Sequence, residues 1–389
     1  GRMTRKSPVG AYHSFGKSRW LSFGGWINAV IPILIVPYYS VIGGWVIKYL
    51  IEYLMGHAQG LAEDGYFGEF ISGGVSAEIC FILFMLITVV IIYSGVRNGV
   101  ERVSKFIMPV LVVLAVVIMV YSVTRPGALA GVKYFLIPQP ENFSWMTVVT
   151  AMGQMFYSLS IAMGILVTFG SYMKDDVSIE RSTVNVEFFD TAIAVMAGLM
   201  IIPAVFSFSG GDAETLQAGP SLMFITIPKV FASMGFGSIV GVLFFFLVLC
   251  AALTSSIALT ESAVSTFEDE LGWGRKKSVV ILAGIMFVLG SLSSLGYGPL
   301  RSMKILGMAC LDFFDFLTNS VMMPVAAIAT CFLVTKVIGI DKIDEEMTKE
   351  NGTFKRKRIF VFMIRFMCPI FAAIILISSI ANAFGWISM

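Results

Sequence analysis

Three groups of oxygen-bearing side chains lie inside strongly apolar sequence, and each is a candidate for ion or small-molecule chemistry. The first is Thr254, Ser255 and Ser256 within CAALTSSIALTES (250–262). A hydroxyl is a hard oxygen donor suited to sodium in a dry site. Ser and Thr in apolar helices also bond back to their own carbonyls or join neighbouring helices, and composition alone favours that second use. The second group is Gln154, Ser158 and Ser160 in GQMFYSLSIAMG (153–164), flanked by Gly153 and Gly164 and beside Phe156 and Tyr157. Small residues and hydroxyls here suit either a broken helix, whose freed amides and carbonyls bind a ligand, or a close helix crossing. The third group is carboxylates: Asp190, and the pair Asp312 and Asp315 in LDFFDFLTN. The pair is three residues apart, on one helix face. Solvation at a membrane edge or vestibule accounts for all three acids equally well.

These groups need elements that can hold polar atoms in hydrocarbon, where an unpartnered polar group costs several kcal/mol. The 389 residues are 57% hydrophobic and 13% charged, with 33 Phe and 23 Met. Mean hydropathy is +0.86. Too little polar surface remains to cover a globule, so much of the surface faces lipid. A cytosolic enzyme, a nucleic-acid binder and a disordered chain are excluded. The net charge of +2 says nothing about partners. Cys80, Cys250, Cys310, Cys331 and Cys368 lie in or beside apolar runs without a CxxC pair and read as packing residues. His13 and His57 lack metal-spaced neighbours, and no HExxH, GxSxG or P-loop occurs. A membrane enzyme therefore has no constellation to work with.

Nine apolar runs are long enough to cross a bilayer: about 21–50, 77–94, 103–123, 146–171, 188–208, 237–263, 278–295, 306–335 and 359–384. They do not alternate as barrel strands do, so the fold class is an all-α polytopic membrane protein. The chain reads as one transmembrane domain, 1–389. Lys and Arg set the orientation. Residues 1–20 carry Arg2, Arg5, Lys6, Lys17 and Arg19 without an acid, and 355–358 is KRKR. Loop 51–76 carries Glu52, Glu63, Asp64 and Glu69 without Lys or Arg. This places 1–20 as a cytoplasmic loop and, after nine crossings, the C-terminus outside a plasma (inner) membrane. The opening GRMTRKSP has no apolar segment before it and reads as the cytoplasmic exit of a preceding helix.

The chain resembles the neurotransmitter:sodium symporters, most closely their bacterial amino-acid branch. The resemblance rests on YYSVIGGW (38–45), VERVSKFIMP (100–109), GQMFYSLSIAMG (153–164), AGLMIIPAVFSF (197–208), GPSLMFITIPKVF (219–231), AALTSSIAL (251–259) and FEDELGWGRKK (267–277), in the family's order. It implies the inverted-repeat leucine-transporter fold, with the first span here similar to the family's third. Two helices that carry substrate and sodium ligands and the gating arginines would then lie upstream, and the chain alone would not transport. It implies sodium-coupled symport of an amino acid by alternating access, with loop 209–234 an outer re-entrant cap. A non-transporting sensor or partner subunit is the alternative class, and homodimerisation is left open.

The resemblance also implies site residues. Ala251, Thr254 and Ser255 match the family's second sodium site; Ser158 and Asp190 match the first, where Asn often replaces Asp190. Substrate contacts fall on Ile35, Tyr39, Tyr157, Leu159, Ser160, Met163, Ser255 and Leu259, with Tyr39 and Tyr157 as an aromatic lid. The wall is apolar, implying a hydrophobic or aromatic amino acid. Asp315 matches the outer gate; Tyr172 and Asp269 match the inner gate. Gln154 and Ser158 match positions near the family's chloride, but its further ligand position falls on Ala194, so chloride dependence is unsupported.

Overall fold

The computed structural model describes residues 1–212, 216, 219–349 and 352–383. Among them, eight helices are long and apolar enough to cross a membrane. They are α1 (Arg19–Leu54), α2 (Val75–Tyr93), α3 (Val96–Val123), α5 (Ile179–Ser209), α6 (Gly237–Leu271), α7 (Arg275–Leu295), α8 (Cys310–Ile338) and α9 (Lys357–Asn382). The ninth expected span is not continuous. It is split into α4a (Trp145–Ser158) and α4b (Ile165–Tyr172).

Helix α1 is the axis of the bundle. Ser18 caps it by accepting a hydrogen bond from the Leu21 amide, and its side chains Ile31, Ile35, Tyr38 and Tyr49 are almost wholly buried. It packs against α2, α6 and α7. Pro32 and Pro37 lie inside it without ending it. A proline removes one helix donor, so Pro32 leaves the Asn28 carbonyl without its usual partner four residues on.

At one end of α1 an aromatic cluster fixes the connectors. Trp45 meets Phe67 edge-on at 5.2 Å, Phe67 stacks on Phe224 at 5.2 Å, and Tyr49 lies 5.2 Å from Phe245. Such pairs contribute about 0.5–1.5 kcal/mol each beyond their burial. The Tyr49 hydroxyl donates to the Phe224 carbonyl at 2.7 Å. This holds the helical connector Leu222–Ser233 against the core. The Lys229 ammonium pairs with Asp64 and holds that exposed carboxyl below its usual range. Within 209–234, residues 213–215 and 217–218 lie outside the described residues.

The opposite end is closed by a buried arginine. Arg2 Nε lies 2.5 Å from Glu346 Oε1, and Arg2 Nη1 donates to the Val177 carbonyl at 2.6 Å. Burial opposes ionisation of Glu346, but Lys349 and Arg2 outweigh it and hold the carboxyl below its usual range. The segment 1–20 is therefore not simply a solvated loop. It contains the helix Pro8–His13, whose Val9 and Tyr12 are buried.

Helix α5 begins at Ile179, well before the apolar run that starts near 188. Its extra polar turns are held from outside: Glu180 accepts from the amides of Lys355 and Arg356, and Glu187 pairs with Arg356 at 2.8 Å. Several membrane helices contain π-helical turns, at Val96–Glu101, Phe316–Met322, Leu333–Ile338 and Met363–Met367. All five cysteines are free and four are buried.

Candidate functional site

The break in α4 makes the site. The helix ladder runs as far as the Ile161 amide, which donates to Phe156 O at 2.9 Å, and resumes where Thr168 N donates to Gly164 O. Between them Ser160, Ala162 and Gly164 all have left-handed backbone, at φ 54°, 60° and 72°. Two of the three are not glycine, a conformation that costs about 1–2 kcal/mol each and persists only where packing enforces it. Gly164 has no substitute: a Cβ there would lie 2.7 Å from the Asn28 carbonyl oxygen and 2.8 Å from Pro8 Cγ. That carbonyl is the one Pro32 leaves free, so the unbroken proline helix and the broken helix meet at this point.

A cavity of about 460 Å³ opens beside the break. Helix α1 contributes Ile35 and Tyr39, one turn apart on one face. Met108 comes from α3, Gln154, Tyr157 and Ser158 from α4a, Ser160 and Met163 from the break, and Ile165 from α4b. Thr254, Ser255, Ala258 and Leu259 come from α6. The volume and the mix of apolar wall with few hydroxyls suit a small-molecule site. Of the expected substrate contacts, all but Leu159 line this cavity. Leu159 instead closes the last turn of α4a, its amide donating to Met155 O at 3.0 Å.

The hydroxyl string on α6 divides. Thr254 and Ser255 face the cavity. Ser256 is fully buried on the other side, 3.1 Å from Thr88 Oγ1 of α2, and joins two helices. The Thr254 hydroxyl donates to the Ala251 carbonyl at 2.9 Å, so two expected sodium ligands sit side by side. This same bond is the back-bonding that a purely packing role requires. On the other side, Ser158 Oγ donates to Asp190 Oδ1 at 2.5 Å, bringing the other expected pair together from α4a and α5.

The gate candidates are dispersed. Asp315 is exposed and accepts from Asn319 Nδ2 at 2.6 Å. Tyr172 and Asp269 do not bond each other among the described residues. Asp269 accepts from the Ser7 amide. The Tyr172 hydroxyl donates to Glu261 Oε1 at 2.8 Å.

Glu261 is the residue that sequence reasoning missed. It is fully buried in α6 and receives Arg275 Nη1 at 3.1 Å and Nη2 at 2.6 Å. Arg275 also donates to the Ile92 carbonyl of α2, at 3.2 and 3.0 Å. The available signal was a carboxylate directly after the hydroxyl string, in TES (260–262), with an arginine just past the helix end.

Comparison with known proteins bears on this geometry. The model of the sodium:neurotransmitter symporter family matches residues 69–385. The uncharacterized sodium-dependent transporter YhdH of Bacillus subtilis (strain 168) is 31% identical over 387 residues, covering 98% of this chain and 84% of that protein. A sodium-dependent transporter of Haemophilus influenzae is 29% identical over 375 residues, covering 94% and 80%. The crystal structure of MhsT in complex with L-phenylalanine superposes with a TM-score of 0.85 at 31% identity, covering 97% of this chain and 86% of that one.

Proposed function

The chain belongs to the sodium:neurotransmitter symporter family, and from that premise we propose that it carries a hydrophobic or aromatic amino acid together with sodium. As a member it is a multi-pass membrane protein and a sodium-dependent transporter, not an enzyme. The observation that carries the substrate class is the cavity wall: Tyr39 and Tyr157 with Ile35, Met163 and Leu259 around a few hydroxyls. The relative MhsT was crystallised with L-phenylalanine, a ligand of this class.

In this reading Ala251, Thr254 and Ser255 hold one sodium ion, and Ser158 with Asp190 contributes to another. Asp190 places a carboxylate where that ion would bind, and Ala194 offers no anion ligand by its side chain, so chloride dependence is unsupported. Sodium stabilises the substrate-bound outward state, and rocking of the bundle delivers the amino acid inward. Asp315 serves the outer gate, and Tyr172 and Asp269 the inner one. The Lys- and Arg-rich end faces the cytoplasm.

The test is sodium-dependent binding and uptake of labelled phenylalanine, leucine, tyrosine and tryptophan. Both are measured on the 389-residue chain. Saturable binding that needs sodium and ignores chloride supports the reading; binding indifferent to sodium overturns it. Tyr39→Ala should weaken substrate binding in a folded protein, and unchanged affinity would take Tyr39 out of the site.

A further inference from the structure

Helix α9 carries a lateral groove that the central cavity does not use. Lys357, Arg358, Val361, Phe362, Arg365 and Phe366 share one open face along its flank, with shallow space between their side chains. Lys357 is already neutralised, its Nζ 2.8 Å from Asp344 Oδ2. Arg358 and Arg365 are exposed, and among the described residues neither has an ion-pair or hydrogen-bond partner. The groove therefore holds two uncompensated guanidinium groups beside two exposed rings, Phe362 and Phe366.

Depth makes those charges informative. Helix α9 spans 26 residues, about 39 Å of rise against a hydrocarbon core of about 30 Å. Lys357 thus lies at the headgroup level. Arg365 lies about 12 Å further along the axis, at a depth where a lipid-facing charge is costly unless it snorkels to a counter-charge at the interface. A guanidinium forks onto phosphate oxygens, and a zwitterionic headgroup would bring its own ammonium against the pair. We propose that this groove binds one anionic phospholipid from the leaflet at the Lys357 end. Its phosphodiester lies between Arg358 and Arg365, and an acyl chain runs along Val361, Phe362 and Phe366. Charge complementarity selects this occupant: the flank is exposed, and it is apolar apart from Lys357, which is paired, and two guanidinium groups without a partner among the described residues.

The experiment is native mass spectrometry of the full chain released from micelles holding equal parts of phosphatidylglycerol and phosphatidylcholine. Wild type should retain one phosphatidylglycerol in preference. Each basic side chain at a membrane surface strengthens binding about fivefold, so Arg358→Gln with Arg365→Gln should weaken retention roughly 25-fold. Arg358→Lys with Arg365→Lys keeps the charge and should lose less than fivefold. Arg301→Gln, at an exposed position elsewhere, should change nothing. Equal retention of both lipids by wild type overturns the proposal, as does undiminished preference in the Gln pair. Displacement of the lipid by millimolar inorganic phosphate also overturns it, because the ligand is then a free anion. Thermal unfolding in phosphatidylcholine establishes that each variant is folded. If the Gln pair is not, Arg358→Gln alone carries the same comparison.

Discussion

Helices α4 and α6 face each other across the cavity and solve one problem in opposite ways. Both carry hydroxyls in apolar sequence. Helix α6 stays continuous for 35 residues, and several of its hydroxyls return to its own backbone. Thr260 donates to Ser256 O at 2.6 Å, and Ser265 and Thr266 both donate to Ser262 O at 3.0 Å. Helix α4 instead gives up its ladder at Ser160–Gly164 and turns its polar groups towards other helices, as Ser158 does to Asp190. Proline does not cause the difference: α1 contains two prolines and is unbroken. What distinguishes α4 is a run of left-handed residues enforced by neighbours, with Gly164 seated against α1. The site thus has one rigid wall and one wall with backbone groups to spare, a division of labour suited to ion ligation on one side and substrate recognition on the other.

The rigid wall can be broken most severely through its buried acid. Arg275→Ala leaves Glu261 without its guanidinium and should cost about 3–5 kcal/mol, seen as a lower unfolding midpoint in detergent. Replacing both residues by Met should recover most of that loss. If the single variant is as stable as wild type, the pair is not what holds α6 to α7 and α2.

The broken wall should be next most sensitive. Gly164→Ala adds left-handed strain of about 1–2 kcal/mol and overpacking of about 1–3 kcal/mol. The expected result is lower stability and loss of substrate binding together. A stable, binding-competent Gly164→Ala would mean that the close approach to Asn28 is dispensable.

Thr254→Val separates sodium ligation from packing on the rigid wall. Loss of an oxygen from a buried cation should cost about 1.5–3 kcal/mol, a tenfold or larger rise in the sodium needed for half-maximal binding. Affinity for substrate at saturating sodium should largely recover, since the two are linked by one coupling free energy. Coincident sodium titrations for variant and wild type would return Thr254 to back-bonding alone.

The broken wall is also clamped from outside, where Arg2 joins Val177, just beyond α4b, to Glu346. Glu346 has its carboxyl held below the ordinary 4.5. The clamp's stabilisation is therefore complete above that value and is lost as pH falls through the lower, folded-state value. Acidification should lower the unfolding midpoint of wild type more than that of Arg2→Ala; parallel curves would dismiss the clamp. The smallest effect belongs to Gly153→Ala. Nothing lies within 4 Å of a Cβ there, so it should change stability by less than about 1 kcal/mol, and in the favourable direction.

Much of this architecture was legible in the residues. Hydropathy located eight continuous helices to within a few residues at most ends, because lipid-facing runs are long and loops are short. It missed the start of α3 at Val96 and the end of α6 at Leu271, and also the start of α5, whose first turns are polar and bonded to Lys355 and Arg356. The glycines and hydroxyls of 153–164 suited a break, but its location did not follow from them. Ser160 and Ala162 are poor left-handed residues by type, and only packing places them there. Most residues lining the cavity were legible through the family's motifs; Met108, Ile165 and Ala258 were not, and Leu159 was expected there but does not line it. Glu261 was not, because its partners come from α7, α4b and a carbonyl of α2, contacts no local spacing encodes.

The π-helical turns have an evolutionary reading. Each amounts to one residue inserted into an otherwise regular helix, turning everything after it by about 100°. Helix α8 holds two such turns, Phe316–Met322 and Leu333–Ile338. Its two ends are therefore out of phase by about 200° relative to a regular helix of the same sequence. A relative that lacks these insertions would align correctly only with gaps placed in the middle of a membrane span. Such gaps would record how the ancestral helix was lengthened without being unfolded.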